Sequence, residues 1–141
     1  MSLSAVRTYA RERVIASTGR EEWNDVSWKN IPRTNLDRYF HVEFLPAFGI
    51  QNNQDNQDID SGFLIRLFMQ PDRYPNEIVD RATELADTVL ADILSAGNRT
   101  TQLGIKNVRF DNMAIEPLDT SNDNGLVIQM SFTAHVIIST R

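Results

Sequence analysis

The chain has 141 residues, 41% hydrophobic and 23% charged, close to ordinary globular usage, which argues against wholesale disorder and against a coiled coil. One domain spanning residues 1–141 is expected, long enough to bury roughly two thirds of the surface that the unfolded chain exposes. A formal net charge of -5 works against specific nucleic-acid binding, whose affinity comes largely from clustered Lys and Arg. Cysteine is absent, which removes disulfides, thiolate nucleophiles and Cys-based metal sites.

No segment approaches the roughly 20 apolar residues of a membrane span, and the first residues hold no apolar run of signal-peptide length. The expectation is synthesis in the cytoplasm and no membrane association. In the first element, Leu3, Val6, Ala10 and Val14 recur at helical spacing over about Ser4 to Ser17, with Gly19 just beyond the end. Arg7, Arg11 and Arg13 are interrupted by Glu12, Glu21 and Glu22, and read as solvated helix decoration rather than a nucleic-acid arm. From Glu21 to Pro32 the pattern is irregular, and at least one of Trp23 and Trp28 is expected to cover an end of the core.

Tyr39 to Leu45 alternates, with Phe40, Val42 and Phe44 on one face, and Pro46 ends the run. After the polar stretch from Gln51, the run Gly62 to Met69 reads as a strand buried over much of both faces, antiparallel to the first. Pro71 and Pro75 bracket a turn. Ile78, Ala82, Leu85, Ala86, Val89, Ile93 and Leu94 then mark a helix with Pro75 in its first turn and Gly97 past its end. Asn98 to Gln102 reads as a turn.

Ile105 to Phe110 and Met113 to Leu118 read as two short strands split by a tight turn at Asp111 and Asn112. A loop from Asp119 to Gly125 follows. Leu126 to Ile138 alternates cleanly, one face on the core and the other mostly wet, and is expected at a sheet edge open to another subunit. The predicted fold is α+β: a mixed, mostly antiparallel sheet with two helices on one face, in the order α-β-β-α-β-β-β.

Chemistry is hard to find. His41 and His135 are isolated strand histidines, with only Glu43 near His41 on the same face, and neither has a ligand set at metal spacing. Serine-nucleophile, dinucleotide and phosphate-loop motifs are absent. Asp55, Asp58 and Asp60 lie near calcium-loop spacing, but the glycine and terminal glutamate of such a loop are misplaced. No catalytic residue, metal or cofactor is expected. The stretch Gln51, Asn52, Asn53, Gln54, Asp55, Asn56, Gln57, Asp58 and Asp60 lacks the apolar burial to order itself, so it is read as a soft loop available to a neighbour.

One resemblance spans nearly the whole chain. It is carried by the short N-terminal helix and by Trp28, Lys29, Asn30, Ile31 and Pro32. The strand from Tyr39 to Pro46, the strand Gly62 to Pro71 after its polar loop, and the helix Asn76 to Ala96 containing Ala86 and Asp87 complete it. Together these resemble the tail terminator, or tail completion, proteins of long-tailed non-contractile bacteriophages, although Asp72, Arg73 and Tyr74 replace the glycine-containing turn expected before the helix.

The resemblance implies a non-enzymatic virion protein, assembled in the host cytoplasm, that caps the tail tube as a homohexameric ring. It further implies that the ring stops polymerisation of the tube protein and presents the surface for the neck or head-completion protein, with DNA free to pass. The polar stretch Gln51 to Asp60 would then contact the tube or the adjoining subunit. Two alternatives remain open. One is another neck component. The other is a small enzyme or ligand-binding domain with a pocket near Trp28, His41 and Glu43.

Overall fold

A computed structural model describes residues 4–23, 38–51, 56–69, 75–95, 105–117 and 125–139. The elements in chain order are α1 (Ser4–Thr18), β1 (Glu21–Glu22), β2 (Tyr39–Gln51), β3 (Asn56–Met69), α2 (Pro75–Leu94), β4 (Ile105–Pro117) and β5 (Leu126–Ser139). The strands form one sheet in the order β1-β2-β3-β5-β4. Only the β1–β2 pair is parallel; the other pairs are antiparallel. The expected α+β class with a mixed sheet is what the chain adopts.

Both helices pack on one face of the sheet, as the 3.6-residue and two-residue periods require. Helix α1 buries Val6, Tyr9, Ala10 and Val14, and α2 buries Ile78, Ala82, Ala86, Val89 and Ile93. They meet Phe40 and Val42 of β2, Phe63, Ile65, Leu67 and Met69 of β3, and alternate residues from Ile128 to Val136 of β5. Phe63 and Phe132 stack at the centre with ring centroids 5.2 Å apart. Helix α1 closes at Gly19, whose φ of 69° is a left-handed conformation open to glycine; its N–H reaches the Ile15 carbonyl at 2.8 Å.

On the opposite sheet face Phe68 and Val127 are buried against Trp23 and Tyr39. Trp23 meets Phe68 edge-on at 5.9 Å, so this tryptophan covers a separate small cluster on the face opposite the helices rather than an end of the main core.

Several expectations are corrected. The segment starting at Glu21 was expected to be irregular, yet Glu21 and Glu22 pair with Tyr39 and Phe40. Pro46 does not end β2: Leu45 and Pro46 together oppose Gly62, and pairing resumes at Ala47 with Ser61. A bulge tolerates proline because it takes the missing N–H out of the ladder. Asp111 and Asn112 form no turn. They lie within β4, where the register steps from Phe110↔Phe132 to Asn112↔Ser131 and leaves Asp111 as the extra residue of a bulge. The order is therefore α-β-β-β-α-β-β rather than α-β-β-α-β-β-β.

Strand β5 is also not at an edge, since it lies between β3 and β4. The lead-in Trp28 to Pro32, the turn from Pro71 to Tyr74, Gly97, the turn Asn98 to Gln102 and the loop residues Asp119 to Asn124 lie outside the described residues.

Candidate assembly surface

The polar stretch from Gln51 to Asp60 is mostly strand. Gln51 pairs with Gln57, and on the same side Ile50, Gly49 and Phe48 pair with Asp58, Ile59 and Asp60. The other flank of β3 is also occupied: Asn56, Gln57, Asp58 and Asp60 pair with Ser139, Ile138, Ile137 and His135. Gln51, Asn56, Gln57, Asp58 and Asp60 thus sit on the strands of a hairpin, while Asn52, Asn53, Gln54 and Asp55 lie outside the described residues.

The expectation of a soft loop through Asn56, Gln57, Asp58 and Asp60 is overturned for a physical reason. Side-chain burial is not the only source of order. From Gln57 to Asp60 the strand is paired on both flanks and Asn56 on one, and tertiary context overrides the weak β-propensity of Asn and Asp. The neighbouring segments supply strong strand formers, among them Phe48 and Ile50 on one side and Val136, Ile137 and Ile138 on the other.

Away from the helices, the sheet carries acid–donor pairs that tie one strand to the next. Glu43 of β2 reaches Arg66 of β3 at 2.8 Å. Asp60 of β3 meets His135 Nδ1 of β5, its register partner, at 2.8 Å. The Thr133 hydroxyl donates to Asp111 Oδ2 at 2.6 Å, and Arg109 Nε donates to Oδ1 at 2.9 Å. Gln129 Nε2 donates to Glu116 Oε2 at 3.0 Å.

For Asp111, partial burial opposes ionisation, but the Thr133 and Arg109 hydrogen bonds outweigh it and hold the carboxyl below its usual range. His41 on the same face is buried. Burial first, then the Arg66 charge, lowers its pKa below 6.5, against the pull of Glu43 and Glu22. The site therefore favours the neutral imidazole over the charged form.

The N-terminal arginines are more integrated than solvated decoration. Arg7 and Arg11 both pair with Glu22, which joins α1 to β1, and Arg13 approaches Asp92 of α2 at 3.8 Å. Arg20 had no signal in the sequence, yet it is buried. Its Nη1 donates to the Phe68 carbonyl at 2.6 Å and its Nη2 lies 3.5 Å from the Met69 sulfur.

No group of three or more His, Asp or Glu able to hold a metal occurs among the described residues. An open groove of about 320 Å³ is lined by Arg20, Met69, Arg81, Glu84, Leu85 and Thr88, away from His41 and Glu43. No helix among the described residues is long and apolar enough to cross a membrane. The surface offers backbone edges, an ordered polar sheet face and a hairpin end, which are means of binding other proteins.

No family model matches the chain, and no curated protein does. Among solved structures, the fold is similar to that of a chain in the virion of a native gene transfer agent particle. The TM-score is 0.59 at 12% sequence identity, and the match covers 96% of both chains.

Proposed function

We propose that this protein is a structural, non-enzymatic subunit of a phage-like virion, and within that class a tail terminator. The observation that carries the reading is the end-to-end fold similarity to a chain of the gene transfer agent virion, with almost nothing left over on either side. The resemblance around Trp28 to Pro32 and Tyr39 to Pro71 points to the tail.

In this reading copies of the chain form a ring, six by analogy with the family, that caps the tail tube, stops its polymerisation and receives the neck. The end of the β2–β3 hairpin, including Gln51, Asn56, Gln57, Asp58 and Asp60, provides a preformed contact for the tube or the adjoining subunit. Assembly takes place in the host cytoplasm and the mature location is the virion tail.

Electron microscopy of the purified protein, alone and mixed with tail tubes, tests this directly. Rings that seat on tube ends are expected. Loss of the protein should give tails of uncontrolled length, whereas headless tails of normal length would assign it to the neck instead. Deletion of residues 52–55 with normal tail length and normal head joining would remove the hairpin end from the contact.

A further inference from the structure

Three large apolar side chains are exposed among the described residues: Ile15 at 48%, Val79 at 47% and Met113 at 41%. Their places follow from how the two helices lie. Helix α1 sits over β2 and β3, and α2 over β5 and β4. Toward each other the helices present Tyr9 and Arg13 on α1, and Asp92 and Ile93 on α2. Arg81, Leu85 and Thr88, which line the groove with Arg20 and Met69, lie on that same side of α2. The flank of α2 turned away from α1 therefore holds Val79, Thr83, Asp87 and Leu90, one row at spacings of three and four residues. Met113 belongs to the same margin, on the helix-facing side of the terminal strand β4.

The outer flank of α1 holds a matching row, Arg7, Arg11 and Ile15, four residues apart. It turns toward the β2 margin, since both arginines reach Glu22 of β1 and Arg7 stands over the Phe44 ring at 5.8 Å. The two flanks are opposite in charge. Helix α1 carries three arginines against one glutamate, and α2 five carboxylates against one arginine. Arg7 and Arg11 share the single carboxylate of Glu22, which leaves positive charge in surplus on their flank, while Asp80, Glu84 and Asp87 of α2 are exposed.

Order along the helices matches as well. Tyr9, early in α1, bonds Ile93, late in α2, whereas Arg20, just past α1, shares a groove with Arg81 and Glu84, so the helices run antiparallel. A second copy set alongside in the same orientation presents its α1 to this α2 in the same sense, late residues beside early ones. We infer that the outer flank of α1 in one copy docks on the outer flank of α2 in the next, with Ile15 against Val79 and the Arg7 and Arg11 guanidiniums against Asp87. Eight residues separate Arg7 from Ile15 and Val79 from Asp87, about 12 Å of helix in each case, so the apolar and the charged contact form together. Charge complementarity of this kind fixes register and orientation. The joint needs no strand pairing. It is head to tail, and it closes into a ring when the rotation per copy permits. It rests on the ring reading above and adds a surface that makes the ring.

The absence of cysteine makes the test clean. Within one chain Ile15 and Val79 lie on the outer sides of two packed helices whose axes stand about 8–10 Å apart, beyond the disulfide reach of about 7 Å between Cα atoms. An Ile15→Cys, Val79→Cys double variant, oxidised and run without reductant, should give a ladder of covalent multimers that collapses to monomer on reduction. Each single variant should stay monomeric on the same gel. Asp87→Arg places like charges together and should raise the concentration needed for assembly at least about tenfold.

Dimers from Ile15→Cys alone would mean that α1 meets α1, and would overturn the joint. Rings by microscopy without cross-linking in the double variant would overturn the joint and leave the ring standing, as would assembly unchanged by Asp87→Arg. A strictly monomeric unsubstituted protein, alone and on tail tubes, would overturn the ring reading and the joint with it.

Discussion

The Tyr9 hydroxyl of α1 donates a 2.6 Å hydrogen bond to the Ile93 carbonyl of α2. Ile93 lies in the last turn of α2, where carbonyls have no intrahelical partner, so a buried side chain from the other helix satisfies one of them. Tyr9→Phe removes the hydroxyl that makes this bond while keeping the ring, and should lower stability by about 1–2 kcal/mol. A fall in the denaturant midpoint with unchanged slope is the expected readout; an unchanged midpoint would mean that the bond is not formed in solution.

Arg20 plays a comparable part between the α1 end and the β3 end. Its guanidinium is buried and bonded to the Phe68 carbonyl, so Arg20→Lys keeps the charge but loses the planar fork that reaches both Phe68 and Met69. A loss of about 1.5–3 kcal/mol is expected, because hydrogen bonds from charged groups are the stronger class. Thermal unfolding of the lysine variant checks this, and parity with the unsubstituted protein would refute it.

Gly62 faces the β2 bulge. A Cβ at this position would stand 3.1 Å from the Leu45 Cβ and 3.2 Å from its Cδ1. Rotation of the leucine relieves only the second contact, because the first is fixed by the bulge backbone. Gly62→Ala should therefore destabilise by about 1 kcal/mol, and Gly62→Val by about 2–3 kcal/mol, through overpacking. If the alanine variant gained stability, the bulge would have to be looser than described.

His41 predicts a pH dependence. Its folded pKa lies below 6.5, so the unfolded chain takes up a proton at a pH where the folded chain does not. Stability is then flat with respect to this group above that pH and falls as the pH drops below it. The Asp111 carboxyl, whose folded pKa is lowered from 3.8, adds its own loss only at more acidic pH. His41→Gln should reduce the decline between about pH 7.5 and about pH 5.5, a window set by the ordinary histidine value. Urea midpoints for both proteins at the two pH values test it, and equal declines would rule it out.

The helices were legible because their periods are long and unambiguous: Val6, Ala10 and Val14 in one, and Ile78, Ala82, Ala86, Val89 and Ile93 in the other, are the residues that the fold buries. The strand cores were legible for the same reason. What misled was punctuation. Pro46 and the Asp111–Asn112 pair look like terminators, yet a bulge absorbs each of them, and whether a local breaker ends a strand depends on partners far away in sequence. The amide-rich run failed in the same way. Its order comes from Ala47–Gln51 and from His135–Ser139, distant segments that no local window can weigh. Of the candidate surface, the residue types were visible and their rigidity was not. The part played by Arg20 required the tertiary fold, since its partners Phe68 and Met69 lie at the far end of β3.

The double-sided pairing of Gln57–Asp60 has a thermodynamic consequence for whatever meets that end of the hairpin. A disordered segment would have to fold as it bound, with a large ordering penalty and a heat-capacity change reflecting more surface than the contact itself. A strand already held on both flanks has little left to order. Association there should behave as docking between rigid bodies, with a modest heat-capacity change set by the contact area alone, and with affinity governed by fit rather than by the length of chain that must be immobilised.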